Sequence, residues 1–198
     1  GADPVSGEPM FPALGPRLAD AATVTVTTPQ YEVSWARRDG AWVSPERGDY
    51  PARASLVADL VVNLARLTRL EARTARPDWY QYIRVGDPTA TPPTGVARVT
   101  VATAAGEVLA DGVLGARSFS IAASHGRGGS FVRPAADAQS WLVEGTAPVP
   151  TELPEWFDTL IDIPGPEIAA IAVLEGDRTL FEANKTDRTN GISTLAYA

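Results

Sequence analysis

The sequence has no cysteine, and it has a single histidine, a single lysine and a single methionine among its 198 residues. Without cysteine, the chain can form neither disulfides nor thiol-based catalytic or metal sites. With His125 as the only histidine, most histidine-based metal sites and catalytic triads are also excluded. We therefore expect no cofactor and no metal site in this protein.

The sequence also lacks a run of about 18 apolar residues, so the chain as given is not expected to span a membrane. Its net charge of −7 and pI of about 4.7 argue against binding nucleic acid or an anionic membrane through bulk charge. Hydrophobic residues make up 44% and charged residues 21%, which are globular values. The length fits one domain, or one domain plus part of another.

Helical periodicity is strongest between residues 51 and 69. The apolar residues recur there at helical spacing and form a stripe about 140° wide, as expected of a helix lying on a core. They are Leu56, Val57, Leu60, Val61, Leu64 and Leu67. Pro51 suits a first helical turn, where its missing N–H would be unpaired in any case. The pattern predicts one long amphipathic helix.

Alternating patterns on both sides of that helix predict short strands. Residues 23–27 and 31–36 alternate, and Asp39-Gly40 predicts a hairpin into a third strand at 41–43. Further strands are predicted at 96–101, 107–110, 112–115, 118–122, 130–133 and 140–144. Residues 155–161 predict a short second helix. The predicted fold class is α+β, a mostly antiparallel sheet or sheets with the long helix packed on one face.

The predicted domain organisation has three parts. Residues 1–10 are rich in glycine and proline and predict a disordered leader or a processed end. Residues 11–163 form one α+β domain. Residues 164–198 form a terminal hairpin and tail, and the hairpin resembles the one at 22–34. That similarity is consistent with the start of a truncated second repeat.

Two polar clusters are candidates for catalytic sites. His125 lies in a glycine-rich hairpin tip, which lacks both a rigid setting and a third orienting group, so we predict an exposed tip residue. Glu152, Glu155, Asp158 and Asp162 could supply paired carboxylates for a hydrolase. Helix capping and solvation are the interpretation we favour for these carboxylates. No catalytic residue is predicted.

The aromatic residues indicate both a core and a surface. Alternation places Trp35 and Trp141 toward the interior of the sheet. The turn that follows the helix contains Trp79, Tyr80 and Tyr82, and it is the best candidate for an exposed aromatic patch. We predict these three residues as the ligand-binding or partner-binding residues.

Several short motifs carry a family resemblance. They include Asp39-Gly40-Ala41-Trp42-Val43, Tyr50-Pro51 before the helix, Phe131-Val132-Arg133, Ser140-Trp141-Leu142-Val143 and Ile161-Asp162-Ile163-Pro164. Over roughly residues 11–175 the chain resembles the bacterial domain-of-unknown-function family 4340. The resemblance implies an extracytoplasmic domain, in the periplasm or cell envelope, held by an N-terminal membrane anchor and associated with transporter-like membrane systems. It assigns no catalytic residue.

Together, these features predict a non-enzymatic extracytoplasmic binding or scaffolding domain of an envelope-associated membrane complex. Its expected partner is a protein of that complex, with no nucleic acid involved. The alternative is a small-ligand or glycan-binding domain that uses the aromatic turn at residues 79–82. A carboxylate-based hydrolase is the second alternative.

Overall fold

The computed structural model describes residues 7–120 and 128–158. Contacts divide the chain after Trp156, and the fold described below belongs to the first of the two units. Across the described residues, no helix is both long and apolar enough to cross a membrane. These residues build a sheet of nine strands in which every neighbouring pair is antiparallel.

The elements follow one another with short connections. The strands are β1 Ala21–Thr27, β2 Glu32–Arg38, β3 Ala41–Ser44, β4 Tyr50–Pro51, β5 Thr68–Ala72, β6 Ala97–Thr103, β7 Val108–Ser118, β8 Gly129–Pro134 and β9 Trp141–Glu144. The helices are α1 Leu56–Arg66 and α2 Tyr80–Ile83, and 3-10 turns cover Gly15–Asp20, Pro45–Arg47, Pro77–Trp79 and Leu153–Trp156. The strand order is β4-β3-β2-β1-β6-β7-β8-β9-β5, so α1 connects the two edge strands.

The predicted long helix over 51–69 is wrong, because the described helices are all short. The helix α1 has 11 residues. Pro51 lies in β4, where it pairs with Val43, and Ala54 adopts a φ of +45° that no helix allows. Leu67 is already extended and leads directly into β5. The residues on both sides of α1 therefore leave the helix to form the edge strands β4 and β5, which pair with β3 and β9, and helical periodicity alone does not reveal that competition.

The apolar side of α1 matches the predicted stripe over its shorter length. Its buried residues are Val57, Leu60, Val61 and Leu64, and Leu67 is buried just after its end. The predicted second helix at 155–161 is replaced by the 3-10 turn Leu153–Trp156 as far as the described residues extend. The mostly antiparallel sheet is confirmed.

The central strands place apolar side chains on one face of the sheet. Val24 of β1 lies between Trp35 of β2 and Val101 of β6, and all three are buried. The predicted inward orientation of Trp35 and Trp141 is confirmed by their burial. The opposite face carries short polar side chains, such as Thr25 bonded to Ser34. This division between apolar and polar faces is typical of antiparallel sheets.

The outer edge of β5 is covered by residues that the sequence assigned to a leader. The Gly7 N–H donates to Arg69 O at 2.6 Å, the Arg69 N–H to Glu8 O at 2.8 Å, and the Met10 N–H to Leu67 O at 2.8 Å. Met10 is fully buried. An exposed strand edge can bond to another extended segment, and that pairing orders Gly7–Met10 despite their composition. Residues 1–6 and 159–198, including the predicted terminal hairpin and tail, lie outside the described residues.

Candidate functional site: an aromatic turn

The aromatic turn, Pro77–Ile83, is attached to the sheet through Tyr80. The Tyr80 side chain is buried, and its hydroxyl donates a hydrogen bond to Ala138 O at 2.6 Å. The Arg133 guanidinium of β8 lies 4.5 Å from the centre of the Tyr80 ring, which is a cation–π distance. Arg133 Nε also donates to Val85 O at 3.0 Å. One buried ring and one arginine therefore hold the turn against β8.

A glycine in β7 permits the close approach of the turn. A side-chain carbon on Gly115 would lie 2.4 Å from Ile83 O and 2.6 Å from the Cγ1 atom of Val85. These distances are far below normal contact, so only glycine allows the backbone after the turn to lie on the strand at this position. The turn is consequently a packed part of the domain.

Two rings of the same turn face solvent. Trp79 is 51% exposed and Tyr82 is 73% exposed. Their ring centres are 6.4 Å apart and their planes lie at 82°, an edge-to-face arrangement favoured by aromatic pairs. Together with Asp78 they line an open depression of about 410 Å³.

An arginine and a carboxylate border the two rings. The Arg76 guanidinium lies 5.1 Å from the centre of the Trp79 ring, and Arg76 Nη2 is 2.9 Å from Asp78 Oδ2. Both charged side chains are well exposed, so their ion pair contributes little to stability. We refer to Arg76, Asp78, Trp79 and Tyr82 as the aromatic patch.

The structure separates the three residues predicted for this site. Trp79 and Tyr82 lie together at the surface, whereas Tyr80 lies in the interior and cannot contact a ligand. Residues three apart share a helical face, which explains why Trp79 and Tyr82 point the same way and Tyr80 does not. Arg76 was not predicted for this site; it is extended and precedes Pro77, so helical spacing does not indicate its place beside Trp79.

The carboxylates near residue 155 form no comparable site. Glu155 Oε1 accepts hydrogen bonds from the N–H groups of Thr151 at 3.0 Å and Glu152 at 3.3 Å, so it caps the turn that contains it. Partial burial and the charge of Glu155 raise the pKa of Glu152. Asp162 and His125 lie outside the described residues. Within residues 7–120 and 128–158, no group of three or more acidic or histidine side chains could hold a metal ion.

Comparison with known proteins gives one result. The family model described as "Domain of unknown function (DUF4340)" matches residues 42–196, which include the aromatic turn and most strands of the sheet. Comparisons with curated proteins and with solved structures gave no match. The match begins after β1 and β2 and extends through residues 164–196, which the sequence analysis had set apart from the main domain. Because it spans well over half of the chain, the chain belongs to the DUF4340 family.

Proposed function

We propose that this protein is a non-enzymatic binding or scaffolding domain of a membrane complex, and that it works in the periplasm or cell envelope, held by an N-terminal anchor. The resemblance to extracytoplasmic members of the family supports this setting. The observation that carries the binding role is the aromatic patch, in which two large rings are held in solvent by a turn whose own core is packed and hydrogen-bonded.

The composition of the patch favours a protein partner. Tryptophan, tyrosine and arginine are the residues most enriched among those that dominate protein–protein binding energy. The turn also presents its rings in advance, because Tyr80 and Arg133 already anchor it to the sheet. Such preorganisation reduces the entropy lost when a partner binds.

A glycan or small ligand is the second candidate. The depression beside Asp78 is open, and the carboxylate could accept hydrogen bonds from sugar hydroxyls. However, Arg76 already lies over the Trp79 ring, and a stacked sugar would need a free ring face. We therefore rank the glycan below a protein partner. The carboxylate hydrolase ranks last, because Glu155 is engaged in capping the turn around it.

The proposal is tested by removing both exposed rings from the full protein in its native host. Membranes are solubilised in mild detergent, the protein is affinity-purified, and co-purifying membrane proteins are quantified by mass spectrometry. Since each residue of a binding hot spot contributes about 2 kcal/mol, Trp79→Ala with Tyr82→Ala should reduce partner recovery at least tenfold.

A matched control is available elsewhere on the surface. Val108 is 53% exposed, close to the exposure of Trp79, so Val108→Ala should leave recovery unchanged. Equal recovery with the double variant, or no specific membrane partner for the wild type, would contradict the proposal. A glycan-array signal that is lost only in the double variant would favour the second candidate.

A further inference from the structure

Among the described strands, one end of β7 has a neighbour on a single side. β6 pairs with β7 only as far as Leu114, which lies opposite Ala97. Beyond that point the register with β8 shifts between Leu114 and Arg117, after which Arg117 and Ser118 pair with Ser130 and Gly129 of β8. Within the described part of the chain, no strand pairs with Gly115–Ser118 on the side where β6 has ended.

An apolar groove of about 230 Å³ lies beside this end of β7. Val96, Ala97 and Leu114 contribute to one part of its lining, and Ala147, Pro148 and Val149 contribute to another. Val96 is 41% exposed although it is aliphatic. The groove is therefore accessible, and its walls suit a small aliphatic side chain.

Arg117 adds an uncompensated charge to the lining of the groove. It is exposed, and it forms no ion pair with any described residue. Its guanidinium lies 5.7 Å from the ring of Phe119, which is also exposed. An acidic side chain brought next to the groove would find a cation without a competing carboxylate in this part of the structure.

We propose that this groove binds an extended peptide segment of a partner protein, which adds as a strand to Gly115–Ser118. Main-chain hydrogen bonds to the side of β7 beyond the end of β6 would provide affinity, as in other cases of strand addition. Alternate side chains of an extended peptide lie on the same side, about 6.8 Å apart. One aliphatic side chain fills the groove, and an acidic residue pairs with Arg117.

The same chain already uses strand addition at another edge. Gly7–Met10 close the outer edge of β5 with the N–H···O bonds described above. Within residues 7–120 and 128–158, no segment does so for Gly115–Ser118, and an edge of this kind can accept a strand from a second molecule. None of the side chains lining the groove belongs to the aromatic patch, although Gly115 also contacts the backbone after the aromatic turn, so the two proposals rest on different side chains.

Peptide display on the complete protein tests the proposal. A library of random peptides of about eight residues is selected on the wild type; at about 3.4 Å per residue such a peptide extends past both ends of Gly115–Ser118. Enriched peptides should alternate aliphatic residues and carry an aspartate or glutamate. Their affinity should fall at least tenfold with Arg117→Glu, or when alternate peptide amides are N-methylated. A peptide with lysine in place of its acidic residue should regain affinity for the Arg117→Glu variant.

Arg66→Glu is the matched control, since Arg66 is also exposed and forms no ion pair with the described residues. This variant should bind the selected peptides as the wild type does. Failure to enrich peptides, or binding insensitive to both Arg117→Glu and N-methylation, would overturn the proposal. Selected peptides whose binding is lost only when Trp79 is replaced would also overturn the proposal, and they would support the role of the aromatic patch.

Discussion

Trp156 and Trp79 occupy the same kind of local structure and have opposite surroundings. Each ends a short 3-10 turn that contains a proline, Leu153–Trp156 in one case and Pro77–Trp79 in the other. Trp156 is buried, its Nε1 donates to the Tyr31 hydroxyl at 2.7 Å, and its ring lies 5.4 Å from that of Trp35. Trp79 is half exposed.

The two tryptophans differ in how far along the chain their partners lie. Trp156 contacts residues of β2 and the segment before it, more than 100 positions away. The ring contacts of Trp79 are with Arg76 and Tyr82, each three positions away. Distant partners identify a core aromatic residue here, and purely local partners identify a surface one. We therefore expect the first tryptophan to determine stability and the second to determine binding.

The largest expected effect is on stability, when the two tryptophans are replaced in parallel. Trp156→Ala removes a fully buried ring and should lower the free energy of unfolding by about 3–5 kcal/mol. Trp79→Ala should change it by less than about 1 kcal/mol, because that ring packs only on exposed neighbours. Urea denaturation monitored by circular dichroism measures both. Equal losses would erase the distinction between the two residues.

The aromatic turn provides the same contrast between a buried and an exposed ring, in Tyr80 and Tyr82. Tyr80→Phe deletes the bond to Ala138 O and should destabilise the protein by about 1–2 kcal/mol. Tyr82→Phe should have an effect within about 0.5 kcal/mol, since Tyr82 is mostly exposed. Chemical denaturation of both variants compares them directly. If Tyr82→Phe lost more unfolding free energy than Tyr80→Phe, the exposed side of the turn would contribute more to stability than its buried side.

The Trp156 cluster should also weaken at alkaline pH. Burial, with the negative charges of Glu155 and Glu152, raises the pKa of Tyr31 to about 12, although the bond from Trp156 opposes this shift. Because the pKa of Tyr31 is higher in the folded protein, its neutral hydroxyl contributes to stability. This contribution is complete below the tyrosine pKa of the unfolded chain, about 10, and is lost as the pH rises toward 12. Because Tyr31 is half-buried, solvent screening limits the loss to about 1 kcal/mol.

The measurement for Tyr31 is the free energy of unfolding between pH 9 and pH 12, compared with Tyr31→Phe. The wild type should lose stability faster than the variant over this range, after both curves are referred to their values at pH 9. Parallel curves would show that the Tyr31 hydroxyl is as free to ionise in the folded state as in the unfolded chain.

Asp87 should give the smallest effect, because its hydrogen bonds are as local as the contacts of Trp79. Bonds from the hydroxyl and the N–H of Thr89, at 2.7 and 2.8 Å, lower the pKa of Asp87. Because the pKa of Asp87 is lower in the folded protein, the charged carboxylate stabilises the fold at pH values above the ordinary carboxyl pKa. This stabilisation is lost as the pH falls. Because Asp87 is exposed and solvent screens its charge, Asp87→Asn should cost less than about 1 kcal/mol at pH 7 and still less at pH 3. If the difference in the free energy of unfolding between Asp87→Asn and the wild type grew as the pH fell, the stabilising role of the Asp87 carboxylate would be contradicted.

Local sequence signals predicted the parts of the fold that rest on local pairing. The hairpin of β2 and β3 follows from Asp39-Gly40, and the burial of Trp35 follows from alternation. The two strands predicted at 107–110 and 112–115 are instead one strand, β7, which begins at Val108 and continues to Ser118. Gly112 sits where a side-chain carbon would lie 2.6 Å from the Phe11 ring, so this glycine accommodates a distant residue and does not mark a turn.

Long-range pairing accounts for what the sequence did not predict. The C-terminal end of α1 depends on β5 pairing with β9, which lies far along the chain, whereas its N-terminal end depends on a local hairpin of β4 with β3. The order of Gly7–Met10 depends on the outer edge of β5. At the candidate site, the sequence identified the aromatic turn but not the burial of Tyr80. That burial depends on Ala138 and Arg133, which lie more than 50 positions away.

Photo-cross-linking at position 82 tests the central claim most directly. A photoreactive amino acid replaces Tyr82 in the full protein in its native host, and the same replacement at Val108 serves as the control. We expect a discrete adduct to one membrane protein from position 82 and none from position 108. The absence of an adduct at position 82, or the same adduct from both positions, would contradict the assignment of the aromatic patch as the contact surface.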